Sequence, residues 1–144
     1  MGEPIVEWLN QQQDIMVELL RDLVDIDSNS FDKAGVDRVG ARLIAFFDDN
    51  EIPHETIPVE EYGDAIRAVV SGGDGNQPIL LCGHRDTVFP TGEVEKRPFS
   101  IANGKAFGPG VADMKPGLVI NAFILAAFHK FGGHPNPLVG LFTG

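Results

Sequence analysis

Two short apolar strands flanking an apolar helix, Ile79 to Gly83 and Leu138 to Phe142 around Gly117 to Phe131, constrain the fold of this chain more than any other feature. Strands joined through a helix lie parallel, and the crossover between them is right-handed. The expected class is α/β, with a mixed, mostly parallel sheet and helices on both faces. In such sheets ligands gather beyond the carboxyl ends of the strands. His84 follows the first strand at such an end.

Upstream, Ile5, Leu9, Met16, Leu19, Leu20 and Leu23 recur at helical spacing, which predicts one helix from Pro4 to about Ile26. A second stripe, Val36, Val39, Leu43, Ile44, Phe46 and Phe47, predicts a helix ending near Asn50, before Pro53. Strands are predicted over His54 to Val59, Ala65 to Ser71 and Pro78 to Gly83. The glycine-rich turn from Ser71 to Asn76 suggests that the last two are antiparallel neighbours. Asn103-Gly104 marks a small hairpin within Phe99 to Phe107, and Gly132-Gly133 stops the helix that begins near Gly117.

With 144 residues, 43% hydrophobic, the chain is expected to form one globular unit around a real core. A net charge of −10 and the absence of any run of lysine or arginine argue against nucleic acid or an anionic membrane as a partner. The single cysteine, Cys82, cannot form an internal disulfide, and its apolar strand predicts a buried, inert thiol. Met1-Gly2-Glu3-Pro4 lacks the basic head and apolar run of a secretory signal, and no apolar stretch approaches the ~20 residues of a spanning helix. A cytoplasmic location is therefore expected.

The chemistry concentrates in two loops. In Leu80-Leu81-Cys82-Gly83-His84-Arg85-Asp86-Thr87 a strand expected to be buried delivers a histidine, and a carboxylate two residues on can accept a hydrogen bond from the imidazole nitrogen that a metal would leave free. An ordinary strand-end histidine and a turn-forming aspartate fit the tripeptide equally well. In Gly108-Pro109-Gly110-Val111-Ala112-Asp113-Met114-Lys115 a glycine-rich loop carries a second carboxylate to the start of an apolar helix. Taken alone, Asp113 reads more readily as a helix cap than as a ligand. The loop is not a dinucleotide fingerprint, because Asp113 stands where the third glycine belongs and would repel a pyrophosphate.

Together, Gly83-His84-Arg85-Asp86-Thr87-Val88 and Gly108-Pro109-Gly110-Val111-Ala112-Asp113-Met114-Lys115 resemble the di-zinc metallopeptidase and deacylase family that includes glutamate carboxypeptidase, acetylornithine deacetylase and succinyl-diaminopimelate desuccinylase. The resemblance runs from about Met16 to Gly144. It implies a zinc exopeptidase-like three-layer sandwich, with residues 1–144 as the N-terminal part of the catalytic domain. His84 would bind one zinc, Asp113 would bridge two, and Asp86 would be the catalytic residue that orients His84. Cobalt is an alternative ion. Two adjacent cations would activate a shared water for hydrolysis of an amide next to a free carboxylate. Removal of an acyl group from an N-acyl amino acid is the alternative reaction, so the implied substrate is a small N-acyl amino acid or peptide. The family places a cis peptide after the bridging aspartate. Pro116 stands where members often carry glycine, and Arg85 would bring a positive charge beside the cations.

In this family the strand ending Thr143-Gly144 is followed at once by paired acidic residues, a general base and a zinc ligand. These are not in the sequence, nor are the later ligands or the smaller inserted domain. His54, His129 and His134 are expected to serve as surface or helix-end residues. The chain alone is therefore expected to be inactive. A noncatalytic fragment that binds a partner through an open sheet edge, or associates with its own copies, is the alternative from a different class.

Overall fold

The computed structural model describes residues 2–144, so Met1 of the N-terminal stretch lies outside them. The first apolar stripe forms two helices rather than one, α1 (Gly2–Gln11) and α2 (Gln13–Val24). The division falls at Gln12, whose amide donates to Leu9 O at 3.0 Å in a tightened turn, while its carbonyl accepts from Met16 at 2.8 Å and starts the next helix. Helix α3 (Lys33–Asp49) is capped by Asp32, whose carboxylate accepts from the Gly35 amide at 3.0 Å, and it ends at Asn50.

Strands β1 (His54–Ile57), β2 (Ala65–Val70) and β3 (Ile79–His84) follow, and then a one-turn helix α4 (Glu93–Lys96) with no periodic signature. The hairpin of β4 (Ser100–Ala102) and β5 (Lys105–Phe107) turns at Asn103 and Gly104, whose φ values of 52° and 72° are those such a two-residue turn requires. Helix α5 (Lys115–Phe131) carries Pro116 in its first turn, where no amide partner is lost, and leads into β6 (Leu138–Thr143).

The main sheet has the order β1-β2-β6-β3, with β3 and β6 parallel and the other pairs antiparallel. The crossover expected from the sequence is therefore present, but β2 and β3 are not neighbours, because β6 lies between them. The glycine-rich connection spans that strand instead of closing a hairpin. Gly73 and Gly75 donate to His134 O and Pro135 O at 3.0 and 2.8 Å, which docks the connection on the residues leading into β6.

One face of the sheet holds the core. Ile66, Ala68 and Val70 of β2 align with Phe142, Gly140 and Leu138 of β6. Phe47 of α3 packs on Phe142 at 5.5 Å between ring centroids, and Phe46 on Phe123 of α5 at 4.9 Å. Burying an aromatic ring of this kind contributes about 1.5–3 kcal/mol. The mixed α/β class holds. Among the described residues its parallel part is the β3–β6 pair, and the helices pack on this one face.

Strand β3 is an edge strand among the described residues rather than a buried one. Its Leu80 is 55% exposed and Cys82 is exposed too, because alternate side chains of a strand point away from the helical layer. No described helix is long and apolar enough to cross a membrane.

Arg85 corrects a second expectation. Its side chain turns inward, 1% exposed, and donates from Nε to Thr143 O at 3.2 Å, from Nη1 to Val36 O at 3.1 Å, and from Nη2 to Asp64 O. The backbone beyond β3 keeps the alternation of the strand, so this cation is used up inside the fold. The guanidinium needs the bare backbone of Gly40, where an added Cβ would lie 2.0 Å from Nη1. Gly40→Ala is therefore expected to cost about 1–3 kcal/mol in urea unfolding. An unchanged midpoint would show that the guanidinium is free to move aside.

Candidate metal centre

The two site loops are held by one short segment between α2 and α3. Phe99 N donates to Asp25 Oδ1 at 2.7 Å, and Gly92 N and Val94 N donate to the two oxygens of Asp27 at 2.6 and 3.0 Å. Ser28 Oγ donates to Arg85 O at 3.0 Å and Asn29 Nδ2 to Phe89 O at 3.0 Å. Thr87 N donates to Ser28 O at 2.7 Å, and Ser30 N to Thr87 O at 3.1 Å. By composition alone Ser28-Asn29-Ser30 is a plain turn. Polar residues without periodicity gave no sign of what they bind.

On this frame His84 ends β3, opposite Thr143 in the register with β6. Its Nδ1 lies 2.9 Å from Asp86 Oδ1 and 3.1 Å from Asp86 O, so the ring proton belongs on that nitrogen. The other carboxylate oxygen of Asp86 accepts from Ser30 Oγ.

The second loop folds on glycines at positive φ, Gly108 at 146° and Gly110 at 77°, conformations that side-chain-bearing residues rarely adopt. The Asp113–Met114 peptide is cis, as the resemblance implies. The N-cap of α5 is Met114, with no side-chain cap, so Asp113 is not the helix cap that its position alone suggested. Its carboxylate is 87% exposed and stands 3.1 Å from His84 Nε2. Lys115, by contrast, is buried and donates to Ile26 O at 2.7 Å, tying this loop to the α2–α3 segment. Burial pulls its amine down to about 8, against the opposing pull of Asp27 and Asp25.

The arrangement fits a cation. With the Nδ1 proton directed at Asp86, Nε2 and Asp113 Oδ1 are two acceptors facing each other, and only a proton or a metal ion between them makes that approach favourable. A tetrahedral zinc with donors about 2.0–2.1 Å away sets neighbouring donors roughly 3.3 Å apart. The observed 3.1 Å is within a few tenths of that spacing. The pair borders a cleft of about 330 Å³ whose walls include Val88, Phe89 and Val111.

The site is also sparse. Among the described residues no group of three or more His, Cys, Asp or Glu side chains converges as a metal-binding cluster. His54 pairs with Asp48 at 2.8 Å, and His134 lies edge-on to Phe128 at 5.1 Å. His84, Asp86 and Asp113 are thus brought together, and these other histidines take no part.

Residues 80–144 match Peptidase family M20/M25/M40. The chain is 30% identical over 128 residues to carboxypeptidase G2 of Pseudomonas sp., covering 84% of this chain and 29% of that protein. It is 35% identical over 118 residues to acetylornithine deacetylase of Salmonella arizonae, covering 77% of this chain and 30% of that one. Human carnosine dipeptidase 1 has the same fold over the whole chain and 34% of its own, with a TM-score of 0.83 at 17% identity. The chain thus spans about a third of the length of these proteins. By a match that spans both site loops, residues 80–144 of this chain belong to Peptidase family M20/M25/M40.

Proposed function

We propose that this chain contributes the first metal-binding loops of a zinc-dependent hydrolase that cleaves an amide bond next to a free carboxylate, in the manner of a glutamate carboxypeptidase. The observation that carries this is the approach of His84 Nε2 and Asp113 Oδ1 with no proton assigned to either by the surrounding bonds. A divalent cation held there polarises a carbonyl and acidifies a water. The chain's own residues do the rest. Asp86 holds the Nδ1 proton and keeps Nε2 free, Asp113 offers an exposed carboxylate whose two oxygens suit a bridge between ions, and the cleft beside them receives the substrate. The names of the two relatives, a carboxypeptidase and a deacetylase, share amide cleavage. An N-acyl-amino-acid deacetylase is accordingly the nearest alternative, and cobalt the nearest replacement for zinc.

Two protein ligands fall short of the about three that a catalytic zinc takes. Calorimetric titration of this chain is expected to show zinc binding weaker than micromolar, lost in both His84→Ala and Asp113→Ala, and no hydrolysis of N-acyl glutamates. Equal binding by those variants would remove the metal reading. Measurable turnover would overturn the inactivity of the chain.

A partner-binding role is the second reading, favoured by the edge of β3 that no strand among the described residues covers, where Ile79 is 49% and Leu80 55% exposed. An unpaired apolar edge templates association. Sedimentation as a monomer at high concentration would count against it.

A further inference from the structure

We propose that Ser30 is a positioning residue of the metal centre, setting the tautomer of His84 through Asp86. The inference rests on the reading of His84 as a ligand. Three bonds run in a row. Ser30 Oγ donates to Asp86 Oδ2, Asp86 Oδ1 faces His84 Nδ1 at 2.9 Å, and His84 Nε2 faces Asp113 Oδ1 at 3.1 Å.

The imidazole stands between two carboxylates, Asp86 on one nitrogen and Asp113 on the other. A neutral ring has one proton to give, and each tautomer satisfies one carboxylate and turns a lone pair toward the other. Only the Nδ1–H form leaves Nε2 able to hold a cation together with Asp113. Two things tip the balance toward Nδ1: the carbonyl of Asp86, 3.1 Å away, is a second acceptor there, and Asp113 gains little from its surroundings, being 87% exposed with the ring as its one side-chain partner among the described residues.

Asp86 is better held. Its carboxylate is 21% exposed, and one oxygen is fixed by Ser30. A bond donated to a charged acceptor is stronger than one between neutral groups. The hydroxyl has a second acceptor, Thr87 O, but at 3.4 Å. With Oδ2 held, Oδ1 is presented to the ring in one orientation. Without the hydroxyl, the carboxylate can rotate away from Nδ1, leaving the carbonyl of Asp86 at 3.1 Å as the acceptor on that side, and a larger share of the proton moves to the Asp113 side.

The variant should fold, because the backbone links of this segment do not use the hydroxyl. Ser30 N donates to Thr87 O at 3.1 Å and Thr87 N to Ser28 O at 2.7 Å. Long-range 1H–15N spectra of the metal-free chain, in buffer alkaline enough to keep imidazoles neutral, report the tautomer of His84 directly. Wild type is expected to show the Nδ1–H form. Ser30→Ala should raise the share of the Nε2–H form about tenfold, the change expected from losing one hydrogen bond to a charged group. Ser30→Thr, which keeps a hydroxyl, should restore the wild-type signal.

A Ser30→Ala protein with the wild-type tautomer overturns the proposal, as does a Ser30→Thr protein that behaves like alanine. Zinc added to the wild type at millimolar concentration separates this from the metal reading. If zinc fails to move the His84 Nε2 resonance, the ligand role fails whatever the tautomer is.

Discussion

Arg85→Met is expected to lower the free energy of unfolding by about 2–4 kcal/mol, because three backbone carbonyls lose their shared donor together. The guanidinium bonds the carbonyls of Val36 at the start of α3, Asp64 just before β2, and Thr143 at the end of β6. It thereby joins three parts of the chain that are far apart in sequence. Burial disfavours the charge, with Asp37, Asp64 and Asp86 opposing that effect. Methionine fills much of the same space but donates nothing. The Val36 carbonyl, whose bond is buried, would forfeit roughly 1–3 kcal/mol, and the half-buried carbonyls of Asp64 and Thr143 less, not additively. Arg85→Lys should recover only part of the loss, since one ammonium cannot match a planar fork aimed at three acceptors. Trp8 is the only tryptophan and packs on Phe123 at 6.2 Å, so its fluorescence in urea reports the transition. A loss under about 1 kcal/mol would mean that the carbonyls find other partners.

Arg85 also shows where sequence reading stops. Beside two ligand candidates, its charge looked like part of the site. Its inward turn depends on Gly40 and on the end of β6, residues 45 and more positions away. The helical stripes, the Asn103-Gly104 hairpin and the parallel β3–β6 pair were legible because each is a local or nearest-element pattern. The false β2–β3 pairing arose from a genuine turn composition, which carries no information about a strand made later and inserted between. Strand β3 read as buried because apolar content reveals a preference for burial but not the neighbours that provide it. At the site, His84, Asp86 and Asp113 could be named from residue type and spacing. The Asp25–Ser30 segment that positions them could not, since its bonds reach partners 56 to 89 residues distant.

Lys115 gives the clearest pH signature in the fold. Its amine is driven from 10.5 to about 8 by burial, which disfavours the charged form. Between those values the unfolded chain holds a proton that the folded chain has released, so stability rises with pH across the interval. The contribution is fully present above 10.5 and is lost as pH falls through about 8. Its full size is about 3 kcal/mol, since each pH unit between the two values is worth roughly 1.4 kcal/mol. Lys115→Met has no such proton. In metal-free buffer at neutral pH the variant should match or exceed the wild type, because the buried ammonium is bonded to a carbonyl, Ile26 O at 2.7 Å, and not to a carboxylate. The difference between the two proteins, followed by urea unfolding, should then swing in favour of the wild type by about 3 kcal/mol as the amine discharges, with other titrating groups cancelling between them. A difference that stays level across the range would mean that water reaches the amine. The lysine behind the Asp113 loop would then be an ordinary solvated side chain, and its bond to Ile26 would no longer be a buried anchor for that loop.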